Sequence, residues 1–296
     1  MHQPSLVVDS IIEPALLRRP QHWLWINLLS LDAPLVALLW QALFAQCVGI
    51  HLRPPAFAAL GIAVWFIYVT DRLLDALRLD RIIVTPRHFF YWRHWKTFSA
   101  GAIISLFALG WACADLNPAV LHNGLVLLAV VIGYFIMVHL VPDRIRALWP
   151  KELAVGVIFA IGTSLATWTR ITESRVALIV PVLLFAVLCW LNCAVIEYCE
   201  WKRLHFCDPS RSPHRFTLWI GPRLHWATLL LCIFSILPLP WPESTLRPVF
   251  IAGLLSGSAL LWLNRQNERL STDAIRVLAD VALMSPLCLL LIRAVL

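Results

Sequence analysis

The chain has 296 residues, of which 60% are hydrophobic and only 14% are charged, and its formal net charge is +7. A soluble domain carries about 25% charged residues, so this composition cannot cover a water-exposed surface and predicts an integral membrane protein. The basic residues lie in loops between apolar runs, where they set orientation in the membrane, so we expect membrane lipid and not nucleic acid as the partner.

The N-terminal residues 1–24 contain acidic and basic side chains and three prolines, without a compact apolar stretch. They predict a cytoplasmic segment and not a cleaved signal peptide. Nine apolar runs follow, and a membrane span needs about 20 such residues. The runs are 26–50, 56–77, 97–114, 119–141, 153–169, 176–197, 224–239, 249–263 and 274–295. The sequence therefore predicts one all-α domain, residues 1–296, built as a transmembrane bundle of about nine helices.

The basic residues alternate between the two sides of these runs. If the N-terminus is cytoplasmic, 19 of the 24 Lys and Arg residues fall on the cytoplasmic side and five on the other. Cytoplasmic loops carry such an excess, so we expect nine spans in the cytoplasmic (inner) membrane with the N-terminus inside. The two longest polar stretches, 78–96 and 202–223, are then cytoplasmic cap loops.

Four carboxylates at the ends of runs are candidates for function, because a carboxylate inside a span costs about 2.5–3.5 kcal/mol on insertion scales. Asp71 and Asp75 close the second run four residues apart, so they share one helix face. Glu197 and Glu200 close the sixth run three residues apart and share another. All four lie at the cytoplasmic side, and paired carboxylates at equal depth predict a site for a hard divalent cation such as Mg²⁺.

Basic residues around these pairs would hold a diphosphate. Lys151 opens the fifth run, and Arg72 and Arg87 lie in or after the second. The alternative is that acids and bases form interfacial ion pairs at helix ends. Asp32 and Asp280, two turns into the first and ninth runs, are expected to be packing or capping groups between helices more than ligands.

The second run ends in a motif that resembles the UbiA superfamily of intramembrane prenyltransferases. That family carries N-D-x-x-D-x-x-x-D followed by Arg, and this chain has Thr70 and Asp71, then Asp75, Asp80 and Arg81. Thr70 stands where the family has Asn, and the later acids lie four and nine residues after Asp71.

Three further segments carry the resemblance. Residues 85–87 (Thr-Pro-Arg) are similar to the Arg-rich loop after the motif, and residues 149–151 (Trp-Pro-Lys) look like the Lys-containing start of the fifth span. Asn192, Glu197 and Glu200 stand where the second acidic motif would be. The resemblance implies a UbiA-like fold over nearly the whole chain.

The resemblance also implies an activity, namely Mg²⁺-dependent transfer of a prenyl group from an isoprenoid diphosphate to a lipophilic acceptor. On this reading the metal ligands are Asp71, Asp75, Glu197 and Glu200. The residues that bind diphosphate are Arg72, Arg81, Arg87, Lys151 and Asn192. The catalytic residues are Asp71, Asp75 and Lys151.

Two other functions stay open on the sequence. One is a non-catalytic, transport or lipid-binding membrane protein that keeps the UbiA-like fold, and the other is a UbiA-like terpene cyclase. Transporters place their sites near the bilayer midplane on broken helices, whereas acids at the cytoplasmic side favour the enzyme. Oligomeric state, prenyl length and the acceptor stay open as well.

The topology has a direct test. Reporter domains fused after Arg93 and after Arg175 should report opposite sides of the membrane, because the expected spans place the first inside and the second outside. If both fusions report the same side, the orientation and the count are wrong.

Overall fold

The structure of the chain is a computed structural model, and it describes residues 22–77, 86–141, 150–172, 175–204, 215–240 and 245–295. The described residues form helices, turns and short connections, with no strand among them. The all-α class predicted from the sequence is therefore confirmed.

Thirteen α-helices follow one another along the described chain. In order they are α1 Trp25–Leu28, α2 Asp32–Cys47, α3 Pro54–Leu77, α4 Pro86–Arg93, α5 Trp95–Ala114, α6 Pro118–His139, α7 Lys151–Arg170, α8 Ile179–Leu204, α9 Arg215–Ile220, α10 Leu224–Ile236, α11 Arg247–Arg265, α12 Thr272–Ala282 and α13 Pro286–Val295. Single turns of 3₁₀-helix precede α1, α8 and α10.

Seven described segments are long and apolar enough to cross a membrane. They are Pro54–Ala76, Trp95–Ala114, Pro118–His139, Lys151–Arg170, Arg175–Arg203, Phe216–Ile236 and Thr272–Ile292. An eighth crossing results if His22–Leu28 and Asp32–Cys47, which meet at 75°, count as one broken span. Helix α11 occupies the predicted eighth run but is not among these segments. The structure thus supports a membrane protein with seven or eight candidate spans in the described chain.

Both predicted cap loops contain a short helix. Helix α4 lies within 78–96, and α9 lies within 202–223. The remaining residues 78–85 and 205–214, like the predicted N-terminal segment up to residue 21, lie outside the described residues.

Helix boundaries follow local chemistry. Proline is tolerated in the first turn of a helix because its missing N–H has no partner there anyway, and α3 and α6 both begin with Pro. The side chain of Asn117 caps α6 by accepting a hydrogen bond from the amide of Ala119 at 2.9 Å. Ser271 caps α12 in the same way through the amide of Ala274 at 3.2 Å.

Helix α8 lies at the centre of the bundle, in contact with α7, α10, α11 and α12. Its Phe185 stacks on Trp40 of α2 with ring centroids 4.2 Å apart, and both side chains are fully buried. The indole of Trp40 donates to the carbonyl of Leu283 at 2.8 Å, which ties the turn after α12 to α2. The first and last thirds of the chain therefore meet on α8.

Helices α7 and α8 pack backbone against backbone at Gly156. A Cβ atom added at Gly156 would lie 2.8 Å from the carbonyl oxygen of Ala186 and 2.8 Å from the amide nitrogen of Trp190. Gly253 and Gly257 of α11 likewise face Leu184 and Cys232. Small residues let helix backbones approach closely in membranes, and the Gly-x-x-x-Gly spacing of α11 has this packing role.

We expect Gly156→Ala to destabilise the protein by about 1–3 kcal/mol, because backbone atoms of α8 would have to move. The measurement is thermal unfolding of the purified protein. Gly124→Ala is the matched control, since a Cβ there meets nothing within 4 Å and alanine is the better helix former. Equal unfolding temperatures for the two variants would contradict the close packing.

Candidate functional site

The predicted site residues gather at one end of the bundle. Asp71 and Asp75 lie in the last two turns of α3, and Glu197 and Glu200 lie near the end of α8. Lys151 is the first residue of α7. The ends that meet are the C-termini of α3 and α8 and the N-termini of α7 and α12, so we call this end of the bundle the polar end.

Lys151 lies among the carboxylates of three helices. Its Nζ is 3.6 Å from Oε1 of Glu197 and 3.7 Å from Oε1 of the adjacent Glu152. The charges of Asp75 and Asp71 also act on it. The lysine thus links the acidic pair of α3 electrostatically to that of α8, although the two helices make few direct contacts.

Three of the four predicted metal ligands already have a basic partner. Glu197 is paired with Lys151, as described above. Asp71 accepts a hydrogen bond from Nε2 of the buried His139 at 3.2 Å. Glu200 is paired with Nε of Arg276. Asp75 is exposed and forms no ion pair with a described residue. Helix-end ion pairs, the alternative left open by the sequence, therefore describe much of this arrangement.

Among the described residues, no group of three or more His, Cys, Asp and Glu side chains lies close enough to hold a metal ion. Mg²⁺ commonly uses only one or two carboxylates and completes its shell with phosphate oxygens and water. Asp71 and Asp75 share one face of α3, and Asp71 is half-buried while Asp75 is exposed. With Oδ2 of Asp71 not engaged by His139, the two carboxylates fit that smaller requirement. Glu197 and Glu200 fit it only if they release Lys151 and Arg276.

Deeper in the bundle, five side chains from four parts of the chain form a buried network that we call the polar junction: Asn27, Asp32, Arg72, Asn192 and Asp280. The amide of Asn27 donates to Asp32 at 2.5 Å and to Asp280 at 3.4 Å. Asn192 donates to the other oxygen of Asp280 at 3.2 Å. Arg72 donates to the carbonyl of Asn27 and lies 3.8 Å from Asp32. Asp32 and Asp280 are thus hydrogen-bonded across helices, as the packing interpretation expects.

A break in the first helix positions this junction. Ser30 lies between α1 and α2 with φ of 56°, in the left-handed region that non-glycine residues seldom adopt. Its hydroxyl hydrogen-bonds the hydroxyl of Tyr91 in α4 at 2.6 Å. The guanidinium of Arg72 lies over the same ring, 5.8 Å from its centroid. The break therefore turns Asn27 and Asp32 toward Arg72.

Arg87 of α4 forms no ion pair with any residue that the structure describes. Its Nε is buried and has no hydrogen-bond partner in the described part of the chain. Burial, and then the neighbouring charges of Arg72 and Arg276, lower the pKa of its guanidinium to about 9. Three guanidinium groups from α3, α4 and α12 thus come together beside the polar junction.

The structure adds residues that the sequence reasoning did not select. Arg276 and His139 are the partners of Glu200 and Asp71, and Asn27 connects the two deep aspartates. A signal for Arg276 exists in the sequence, since it is a charge inside the ninth apolar run, four residues before Asp280. Of the predicted residues, Arg81 lies outside the described residues.

The buried pair of Arg276 and Glu200 should be far more sensitive to substitution than a surface pair. Glu200→Gln leaves the guanidinium of Arg276, only 6% exposed, without its main counter-charge, and should cost about 3–5 kcal/mol of stability. Glu268→Gln removes the exposed partner of Lys202 and should change stability by less than about 1 kcal/mol. Thermal unfolding of both variants checks this, and equal effects would show that Glu200 has no special partner.

Comparison of the chain with protein-family models, with curated proteins and with solved structures finds no match.

Proposed function

We propose that the chain is an intramembrane prenyltransferase of the UbiA type, which binds an isoprenoid diphosphate at the polar end and transfers its prenyl group to a lipophilic acceptor. The proposal rests on one observation: Arg87 lies beside Arg72 and Arg276, and its buried Nε has no hydrogen-bond partner in the described part of the chain. Arg72 and Arg276 already lie beside Asp32 and Glu200, whereas Arg87 forms no ion pair with a described residue. A buried charge without such a partner is unfavourable unless an anion joins it. A diphosphate supplies both the charge and the acceptor oxygens.

Each predicted residue has a role in this proposal. Arg72, Arg87 and Lys151, with Arg81, hold the diphosphate. Asn192 orients it from the buried side with the second N–H of its side-chain amide, the first being donated to Asp280. Mg²⁺ held by Asp71 and Asp75 would neutralise negative charge on the diphosphate. Glu197 and Glu200 position Lys151 and Arg276 and join the metal shell only by exchanging those partners.

The chemistry that follows is the heterolysis of an allylic C–O bond. The electron pair leaves with the diphosphate, where Lys151 and the arginines stabilise the developing charge. The carbocation is captured by a nucleophilic atom of the acceptor, which then loses its proton. Apolar walls from the helix bundle would keep water from capturing the carbocation first.

The proposal includes the finer topology of nine spans, with the broken pair α1–α2 and helix α11 each counted as a crossing. It also includes an N-terminus in the cytoplasm and residence in the inner membrane. The basic excess supports this, since the polar end then faces the cytoplasm, where soluble isoprenoid diphosphates would enter.

One observation favours a second candidate, a transporter. Broken helices commonly build ion sites in transporters, and the 75° break between α1 and α2 lies beside Asp32 and Asp280. A terpene cyclase remains a variant of the first proposal, distinguished by product formation without any acceptor.

Measuring the binding of an isoprenoid diphosphate tests the role of Arg87. Arg87→Met should weaken the binding of farnesyl diphosphate by tenfold or more, as expected for about 1.5–3 kcal/mol lost with a charge-assisted hydrogen bond.

The same variant should unfold at a higher temperature than the unliganded wild type, because an unpaired buried charge is gone. The affinity of the wild type should fall as pH rises through about 9, where free Arg87 loses its proton, and the variant should lack this fall. Lys202→Met, at an exposed pair, is the control.

Activity separates the enzyme from the alternatives. Wild-type protein should release pyrophosphate from geranyl, farnesyl or geranylgeranyl diphosphate in the presence of Mg²⁺. Asp71→Asn should raise the Mg²⁺ requirement because an amide is a poorer ligand, whereas Lys151→Met should weaken diphosphate binding at every Mg²⁺ concentration. Equal diphosphate binding by wild type and all these variants, or none by any, would reject the enzyme proposal.

A further inference from the structure

A second polar site lies at the opposite end of the bundle. A cavity of about 310 Å³ opens where α3 and α6 begin and where α5 and α7 end. It is lined by Arg53, Asp115, Asn117 and Arg170, among others. Helix α7 has 20 residues and rises about 1.5 Å per residue, so Arg170 lies about 30 Å from Lys151, the thickness of a bilayer core. The cavity is therefore at the other membrane surface.

The charged groups of this cavity are incompletely paired. Arg170, which lines the cavity, donates to the carbonyl of His51 at 3.1 Å through one nitrogen, so other N–H groups of its guanidinium stay available for a ligand. Neither Arg53 nor Asp115 forms a side-chain ion pair with any residue that the structure describes. Two guanidinium groups against one carboxylate give the cavity a net positive charge.

Two long helices add to this positive field. The N-termini of α3, with 24 residues, and of α6, with 22, both border the cavity. Helix N-termini carry partial positive charge and favour phosphate groups. Four positive elements thus converge on a space large enough for a phosphate headgroup.

The surroundings of the cavity point to a ligand with apolar chains. Trp111 lies in α5, one turn before Asp115 and on the same side, and it is 82% exposed. Phe107, one turn earlier in the same helix, is 76% exposed. In the membrane these side chains contact lipid, and Trp commonly marks the interface. A molecule that places phosphate in the cavity would lay its tails along this apolar face.

We propose that this cavity binds the phosphate headgroup of an anionic phospholipid, held by Arg53 and Arg170. The site is separate from the polar end and does not depend on the function proposed for it. The net positive charge favours a lipid of negative charge over a zwitterionic one, whose own cation would meet the two guanidinium groups.

The test uses the full chain in nanodiscs of phosphatidylcholine, alone or mixed with phosphatidylglycerol, followed by extraction and native mass spectrometry of retained lipid. Wild type should retain phosphatidylglycerol about tenfold better than Arg53→Gln/Arg170→Gln, and should show no such preference for phosphatidylcholine. Arg53→Gln alone should lose part of this retention without unfolding, since its side chain has no described ion-pair partner. Arg175→Gln removes an arginine at the same end, outside the cavity, that donates to the carbonyl of Ile171, and should retain lipid as wild type does.

Equal retention of phosphatidylglycerol by wild type and the double variant would overturn the proposal, as would equal retention of the two lipids by wild type. A third arm adds inorganic phosphate to delipidated protein. If phosphate alone raises the unfolding temperature as much as phosphatidylglycerol does, the site takes a free anion and the lipid proposal is wrong.

Discussion

A charge can lie inside an apolar helix bundle only where another side chain neutralises or hydrogen-bonds it, and this constraint organises the structure. Asn27 is central to it. The side-chain amide of Asn27 donates hydrogen bonds to Asp32 and Asp280, while its backbone carbonyl accepts one from Arg72. The first, second and last predicted spans are thereby joined through one residue. Helix α8 completes the network through Asn192 and provides the apolar surface on which the same helices pack.

The two ends of the bundle differ in how this constraint is met. At the polar end, acids and bases are both present and most of the described ones are paired, whereas Arg87 and Asp75 form no ion pair with a described residue. An anion bound there would complete a network that is nearly balanced. At the opposite end few charges are present, and Arg53 and Arg170 stand beside a cavity that no described side chain fills. The first arrangement suits a ligand that is bound and released, and the second suits a lipid that stays.

The sequence predicted the helices well, because apolar runs of bilayer length can satisfy their backbone hydrogen bonds in lipid only as helices. Each of the nine runs contains a helix, and Gly253 and Gly257 pack as their spacing indicated. Composition does not identify α11 as a membrane crossing, because this helix contains small and polar residues that pack against α8 and α10. The break at Ser30 has no signal in the sequence, because serine has no local preference for a left-handed backbone.

The apolar runs are sufficient to predict an all-helical membrane protein. The order of runs and loops fixes the direction of each helix and the depth of its residues, so it also places five residues at one end of the bundle: Asp71, Asp75, Lys151, Glu197 and Glu200. Which side chains become partners depends on the packing of the helices. Spacing along one helix shows that Asp71 and Asp75 share a face, but it cannot show that His139 meets Asp71 or that Arg276 meets Glu200. Those pairs join residues 68 and 76 positions apart, and their geometry depends on how separate helices rotate and pack against α7 and α8.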